Sequence, residues 1–444
     1  MNDTLSKSKN TRIVPKELLT PFILITSLFA LWGFANAITD PMVQAFKKVL
    51  ELSNSQAAWV QMAFYGGYFS MALPAALFVR KYSYKVGVLI GLALYALGAL
   101  LFYPAALMEK FWFFCLGLYV LTFGLAFLET TANPYILSMG SPKTATQRLN
   151  LAQAFNPIGL LLGLLVAQEF VLKKLQSDDI ADFSLLSEAQ KTAIRISDLM
   201  VIRDPYVILG LAVLGVFILI AVNKMPQGRA DDGEIYGLQN IIQDLFKNGK
   251  YVGGVIAQVF YVGAQIMCWT YIYQYAEFLG ISSVAAANYQ FVAFFLFLIG
   301  RAIGTYALKH VSAERLLLFE SVIAAILLSM TIGSQGVLGL YALVGVSFCM
   351  AVMFPTIYGI ALSNLNEEKT KIGAAGLVMA IVGGALLPQL QALIIDIGGS
   401  GVSDIRIWNV PEVNLSFILP LLSFVIIAFY GSWVAKEHKK LRSV

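Results

Sequence analysis

Long blocks that are apolar on every side punctuate this chain, and they limit its possible folds more than any other feature. They run 20–44, 56–79, 84–106, 111–138, 148–171, 205–223, 251–275, 286–307, 314–332, 335–361, 371–395 and 413–435. A helix needs about 20 such residues to cross a hydrocarbon layer roughly 30 Å thick. Blocks without a polar face do not match the one-sided helices of a soluble domain. The strands of a membrane barrel would show short alternating patterns instead. Of 444 residues, 58% are hydrophobic and only 13% charged, too few to cover a water-soluble surface, and the mean hydropathy is +0.74. The expected fold is an all-α membrane protein with twelve transmembrane helices in two six-helix bundles.

The polar intervals divide the blocks evenly. Six precede a stretch of mixed charge, 224–250, and six follow it. The expected organisation is an N-terminal bundle over 1–223, a connector over 224–250 and a C-terminal bundle over 251–444. A second polar interval, 172–204, contains SEAQKTAIRISDLMV, whose spacing predicts a short amphipathic helix lying outside the bilayer. The opening MNDTLSKSKNTRIVPKE is basic, and the block after it lacks a small-residue cleavage signature, so it reads as a retained first span.

Lysine and arginine are shared unevenly between the two sets of loops. One set holds Arg80, Lys81, Lys85, Lys143, Arg148, Lys309, Arg315, Lys369 and Lys371, along with the basic termini and connector. The other holds Lys47, Lys48 and Lys110. Basic loops stay in the cytoplasm, so both termini are expected there. Trp59, Trp112 and Trp433 fall near block ends, where indoles suit the headgroup region. Tyr271, Tyr273 and Tyr275 read as part of the same interfacial belt. A weak internal repeat agrees with two halves: the fourth and tenth blocks each carry a proline at similar depth, in ANPY and MFPT. Duplicated bundles that rock about a central site are a transporter plan.

Within the blocks, the informative residues are those that cost energy to place. A charge deep in a bilayer costs roughly 2.5–3.5 kcal/mol on insertion scales unless it faces the protein interior or water. Asp40, in ANAITDPMVQAF, either caps a helix restart before Pro41 or lines a cavity between the halves, with Asn36 one turn earlier on the same face. Glu129, in LTFGLAFLETTANPY, sits well inside its block and must be neutral, paired or wet. That requirement suits a proton carrier. Gln153 and Asn156 share one face of the fifth block beside Pro157, and Asn133 precedes Pro134. Each of these amides can line a cavity or tie helices together. In the second half, Gln265 and Trp269 are four residues apart on one face, and Asn288 follows in the eighth block. A ring beside an amide suits a hexose, whose C–H face stacks while its hydroxyls find partners; Trp32 offers a second ring. Glycines 159 and 163 allow close helix approach.

Three scattered cysteines and two distant histidines suggest neither a disulfide framework nor a metal site. No nucleotide-binding loop or nucleophile elbow appears, so no cofactor, catalytic residue, ATPase partner or nucleic acid is expected.

The segments SLFALWGFANAITDPMVQAF, AFYGGYFSMALPAALFVRKYSYKVG, FGLAFLETTANPYI, RLNLAQAFNPIG and AQVFYVGAQIMCWTYIYQYA extend a resemblance over almost the whole chain. It resembles the major facilitator superfamily, in the L-fucose:proton symporter branch that includes bacterial glucose/galactose transporters. The resemblance implies that Asp40 corresponds to a first-span acid contacting sugar and taking part in transport. It implies that Glu129 corresponds to a fourth-span acid linked to protonation, and that Gln153 and Asn156 face the central cavity. Ala37, Thr39 and Pro41 depart from the branch pattern around Asp40 and leave the sugar open. The implied function is proton-coupled import of a hexose, L-fucose first, by alternating access. The implied setting is the bacterial inner membrane, with hexose, proton and lipid as partners. The alternatives are a glucose/galactose transporter of the same branch or an uncoupled facilitator for another polar solute.

Overall fold

Polar caps set where several of the helices begin. Ser53 and Ser187 each form a reciprocal capping box with the glutamine three residues on, and Asn248 and Ser282 accept the backbone N–H of Tyr251 and Ala285. Between such caps the apolar blocks continue as helices, because a bilayer leaves the backbone no other partner for its polar groups. The structure is a computed structural model. It describes residues 14–140, 148, 151–153, 155–178, 180, 186–225, 238–308, 310–363, 365, 367–399 and 405–442. Lys143, Lys309 and the connector residues 226–237 lie outside the described residues.

Among the described residues, twelve helical spans are long and apolar enough to cross a membrane: Lys16–Val49, Asn54–Val79, Tyr84–Met108, Phe111–Asn133, Leu151–Lys174, Glu188–Val222, Gly249–Phe278, Ser283–Ala307, Ala313–Gly333, Val337–Leu362, Ile372–Gly398 and Glu412–Glu437. Large apolar side chains such as Ile208, Leu211, Phe319, Ile326 and Phe429 point outward and are exposed. An apolar exterior of this extent fits a lipid environment.

The packing repeats. The first span packs on the fifth, the second on the fourth, and the third on the fourth and sixth; the seventh packs on the eleventh, the eighth on the tenth, and the ninth on the tenth and twelfth. Each half is thus built the same way. The halves meet where the second span lies against the eleventh, the fifth against the eighth and the first against the seventh.

The crossing of the first and fifth spans is close because three glycines lie in it. A Cβ on Gly159 would collide with the Ala30 carbonyl, one on Gly33 with that of Asn156, and one on Gly163 with that of Phe34. Among the described residues, four spans in the second half are interrupted, the twelfth of them between Ser416 and Ile418. The seventh breaks between Thr270 and Ile272, the tenth between Met350 and Met353, and the eleventh contains a 3-10 turn at Ala380–Val382.

Two expectations change. The amphipathic segment within 172–204 is not a separate surface helix: a single helix runs Glu188–Val222 through Pro205, so the sixth span projects beyond its apolar block. Asp198 fixes that projection by accepting the N–H groups of Gln176 and Ser177 at 2.9 and 3.0 Å. Tyr271, Tyr273 and Tyr275 do not form an interfacial belt. All three are buried, and their hydroxyls donate to the Pro388 carbonyl, the Gln290 side chain and the Ser334 carbonyl. The break after Thr270 turns these rings inward. A two-residue ribbon, Arg406–Ile407 with Val410–Pro411, is the strand structure among the described residues.

Candidate functional site

Two carboxylates lie at different levels of the boundary between the halves. At 1.5 Å per residue, Asp40 is about 31 Å along the first helix from Leu19, and Trp32 is about 20 Å along it. Glu129 is about 14 Å from Ser138, the end of the fourth helix on the side of the chain termini. Asp40 therefore belongs to the level far from the termini, and Glu129 to the near level.

The first helix runs unbroken through Asp40 and Pro41, so Asp40 caps no restart. Its side chain is buried between the halves and is bonded by both. Oδ1 accepts from Gln61 Nε2 of the second span at 2.8 Å and from the Thr270 hydroxyl of the seventh at 2.7 Å. Oδ2 accepts from Gln290 Nε2 of the eighth span at 3.0 Å. Gln290 is held in turn by the Tyr273 hydroxyl at 2.8 Å, and Gln61 also donates to Thr270 at 2.8 Å. Thr270 can reach across because the seventh helix ends there. Among the described residues, all of Asp40's partners are neutral donors.

Glu129 is different. Its carboxyl makes no hydrogen bond among the described residues, and Oε2 is buried. Tyr68 of the first half and Tyr358 of the second lie within its electrostatic reach. Trp32 Nε1 donates to the Tyr68 hydroxyl at 2.7 Å. Asn133 donates to the Glu129 backbone carbonyl and accepts from Gln153, both at 3.2 Å. Asn36 donates to the Trp32 carbonyl at 3.0 Å, and Asn156 to that of Phe29 at 3.3 Å. Trp32, Asn36, Glu129, Asn133, Gln153, Asn156 and Tyr358 are half-buried, whereas Tyr68 is buried. Across the boundary Gln265 is half-buried with no hydrogen-bond partner among the described residues. The near level thus combines amides, an indole, phenols and an unpartnered carboxyl, all but the Tyr68 phenol partly accessible. Such a set can receive a solute carrying several hydroxyls, and its carboxyl can receive a proton.

Two of the expected site residues lie elsewhere. Trp269 packs edge-on against Phe294 and Phe297, and its Nε1 donates to Ser347 at 3.1 Å. Its faces belong to the C-terminal core. Asn288 is near the far end of the eighth span and accepts from Gln168 of the fifth at 2.9 Å, which joins the halves at their edge. Conversely, Gln61, Tyr68, Thr270 and Gln290 are central to the two levels and were not singled out in the sequence, and Tyr273 was read there only as part of an interfacial belt. Gln61 and Gln290 carried the needed signal, since each is an amide in an apolar run, as costly to bury as those that were named.

A sequence model described as Major Facilitator Superfamily matches residues 22–388, most of the chain. This chain belongs to the major facilitator superfamily. The L-fucose-proton symporter of Haemophilus influenzae is 54% identical over 427 residues, covering 95% of this chain and 98% of that protein. The protein of the same name in Escherichia coli is 34% identical, covering 97% and 98%. The glucose/galactose transporter of Brucella abortus is 31% identical, covering 92% of each. The crystal structure of a major facilitator superfamily transporter, FucP, in the outward conformation superposes with a TM-score of 0.71 at 32% identity, covering 94% of this chain and 99% of that one. As a major facilitator protein, the chain is a transporter and not an enzyme, and the resemblance in its motifs to this superfamily is borne out.

Proposed function

We propose that this chain carries L-fucose together with a proton into the bacterial cell, across the inner membrane and with both termini in the cytoplasm. Identity of 54% to a protein named L-fucose-proton symporter supports the substrate, and the excess of basic residues in the terminus-side loops supports the orientation. The observation that carries the mechanism is the two-level boundary: one carboxylate bonded by both halves, and a second, unpartnered one in a half-buried polar cluster.

The moving bodies are 1–223 and 251–444, joined by the connector 224–250. Sugar reaches the cluster formed by Trp32, Asn36, Asn133, Gln153, Asn156 and Gln265 when the halves part on the outer side. Asp40 then loses Thr270 and Gln290 and offers its freed oxygens to sugar hydroxyls. Glu129 takes up the proton, which removes a charge that would oppose reorientation through a low-dielectric interior. When the halves close outside and part inside, Asp40 regains its protein donors and the sugar loses a partner, so it leaves. The membrane potential contributes roughly 2.3 kcal/mol per 100 mV for each charge moved.

Uptake into right-side-out vesicles tests this reading. Labelled L-fucose should accumulate only with an inward proton gradient and should alkalinise the medium. Accumulation of D-glucose or D-galactose in place of L-fucose would assign the chain to the function named for its Brucella relative. Equilibration without alkalinisation would make it a facilitator.

A further inference from the structure

At the far end of the boundary, a carboxylate from one half holds the first turn of a helix from the other. Asp396 opens the 3-10 turn that ends the eleventh span. Its Oδ1 accepts the backbone N–H of Asn54 at 3.0 Å and the Asn54 side-chain amide at 2.8 Å, and its Oδ2 accepts the N–H of Ser55 at 2.7 Å. Gln389, about two turns earlier, donates to the Ser55 carbonyl at 2.8 Å. The eleventh span therefore grips both polar sides of the turn that opens the second span.

Other contacts at this end join the halves less completely. Lys47 pairs with Glu277 at 2.9 Å, but the glutamate is 36% exposed and keeps water as an alternative partner. Gln168 and Asn288 are neutral. Asp396 differs because both of its oxygens are held from the opposite half, by three N–H groups of which two are backbone donors at a helix start. Bonds from neutral N–H groups to a carboxylate are stronger than neutral pairs, and here all three are lost together when the ends separate. Glu412 accepts the N–H of Gly398 at 2.8 Å, which adds a second acid beside the turn and supplies no cation.

From this geometry we infer that Asp396 is the outer latch of the transport cycle: a positioning residue that holds the sugar's outer route shut and whose release opens it. The inference rests on the alternating-access reading above, but not on which sugar is carried. Asp396 contacts neither polar level and acts only through the separation of the halves.

Spin labels at Lys110→Cys and Trp408→Cys test it. Both positions are exposed at the far end, one in each half, and the native Cys115, Cys268 and Cys349 are buried. Pulsed dipolar distances are read on the full chain in nanodiscs, without sugar or a pH gradient. Asp396→Ala should shift the balance toward the longer distance on the order of tenfold, the scale of a lost charge-assisted bond. Asp396→Asn keeps the volume and one acceptor oxygen, and should move the balance the same way by less. In vesicles, both variants should show a lower KM for external sugar together with a lower kcat, a split that mere loss of folded protein cannot produce. Distance distributions of both variants that superpose on the parent's would overturn the latch, whatever the vesicles transport.

Discussion

The Thr270 hydroxyl donates to Asp40 Oδ1 at 2.7 Å across the boundary between two six-helix bundles. The acceptor lies in a continuous helix and the donor at a helix break. A rigid carboxylate thus meets a hydroxyl carried on a segment with a joint. Exchange of one for the other as partner of a sugar is the chemical core of the proposed cycle.

That relationship predicts coupling. Thr270→Val removes a bond to a carboxylate, a loss of roughly 1.5–3 kcal/mol, and Asp40→Asn weakens the same bond from the other side. Each should lower the apparent Tm of the purified protein. The double variant should fall no further than the worse single one. Additive losses would show that the two side chains act independently.

Glu129→Gln keeps the size of the side chain and removes its proton site. The variant should still exchange labelled for unlabelled sugar, because exchange needs only the loaded protein to move. It should not accumulate sugar against a gradient. Accumulation at the parental level, still driven by pH, would transfer proton coupling to Asp40 or another group.

Trp269→Phe should leave sugar affinity within about twofold while lowering the apparent Tm, since it loses the bond to Ser347, a loss of about 1 kcal/mol. Trp32→Phe should lower the apparent Tm as well, because it removes the donor to the buried Tyr68 hydroxyl, but it should also weaken sugar affinity, because Trp32 lies in the half-buried cluster. Isothermal titration beside thermal unfolding separates the two. A Trp269→Phe protein that folds normally and binds sugar tenfold more weakly would return Trp269 to the site.

Gly159→Leu should abolish folded protein, because even a Cβ there meets the Ala30 carbonyl. Gly159→Ala should cost about 1–3 kcal/mol by overpacking. Gly215, with nothing within 4 Å of its Cβ position, should accept alanine without loss. Thermal unfolding of the two alanine variants, side by side, checks both expectations.

The described part of the connector forms a helix, Leu238–Lys247, tied by Asp244 at 2.9 Å to Lys369, in the helical turn that leads into the eleventh span. The hydrogen bond and charge of Lys369 hold the Asp244 carboxyl below its usual range. A depressed carboxylate contributes stability above its unfolded value and loses it as pH falls through the folded one. The tie should therefore be intact at neutral pH and loosen only in acid. Hydrogen exchange over 238–247, corrected for its intrinsic pH dependence, should rise below the ordinary carboxylate range. Asp244→Asn should raise it already at pH 7.

The sequence by itself determined the twelve spans and their division into two bundles, because a bilayer imposes length and apolarity on each span separately. It also marked Asp40, Glu129 and Gln153, since a polar group in an apolar block is costly wherever the helix lies. Two things could not be read in this way. An amide in a span looks the same whether it meets solute or another helix, so Asn288 and Trp269 read like Gln153 until the packing placed one at the edge and the other in the core. The length of the sixth helix was hidden because its polar first turns are fixed by Asp198 and the turn at Gln176, a contact no local pattern carries. Only the tertiary structure decided which groups meet across the halves. Asp40 with Thr270 and Gln290, and Asp396 with Asn54 and Ser55, are separated by hundreds of residues. Their pairing depends on how two bundles sit against each other, which no single span's composition encodes.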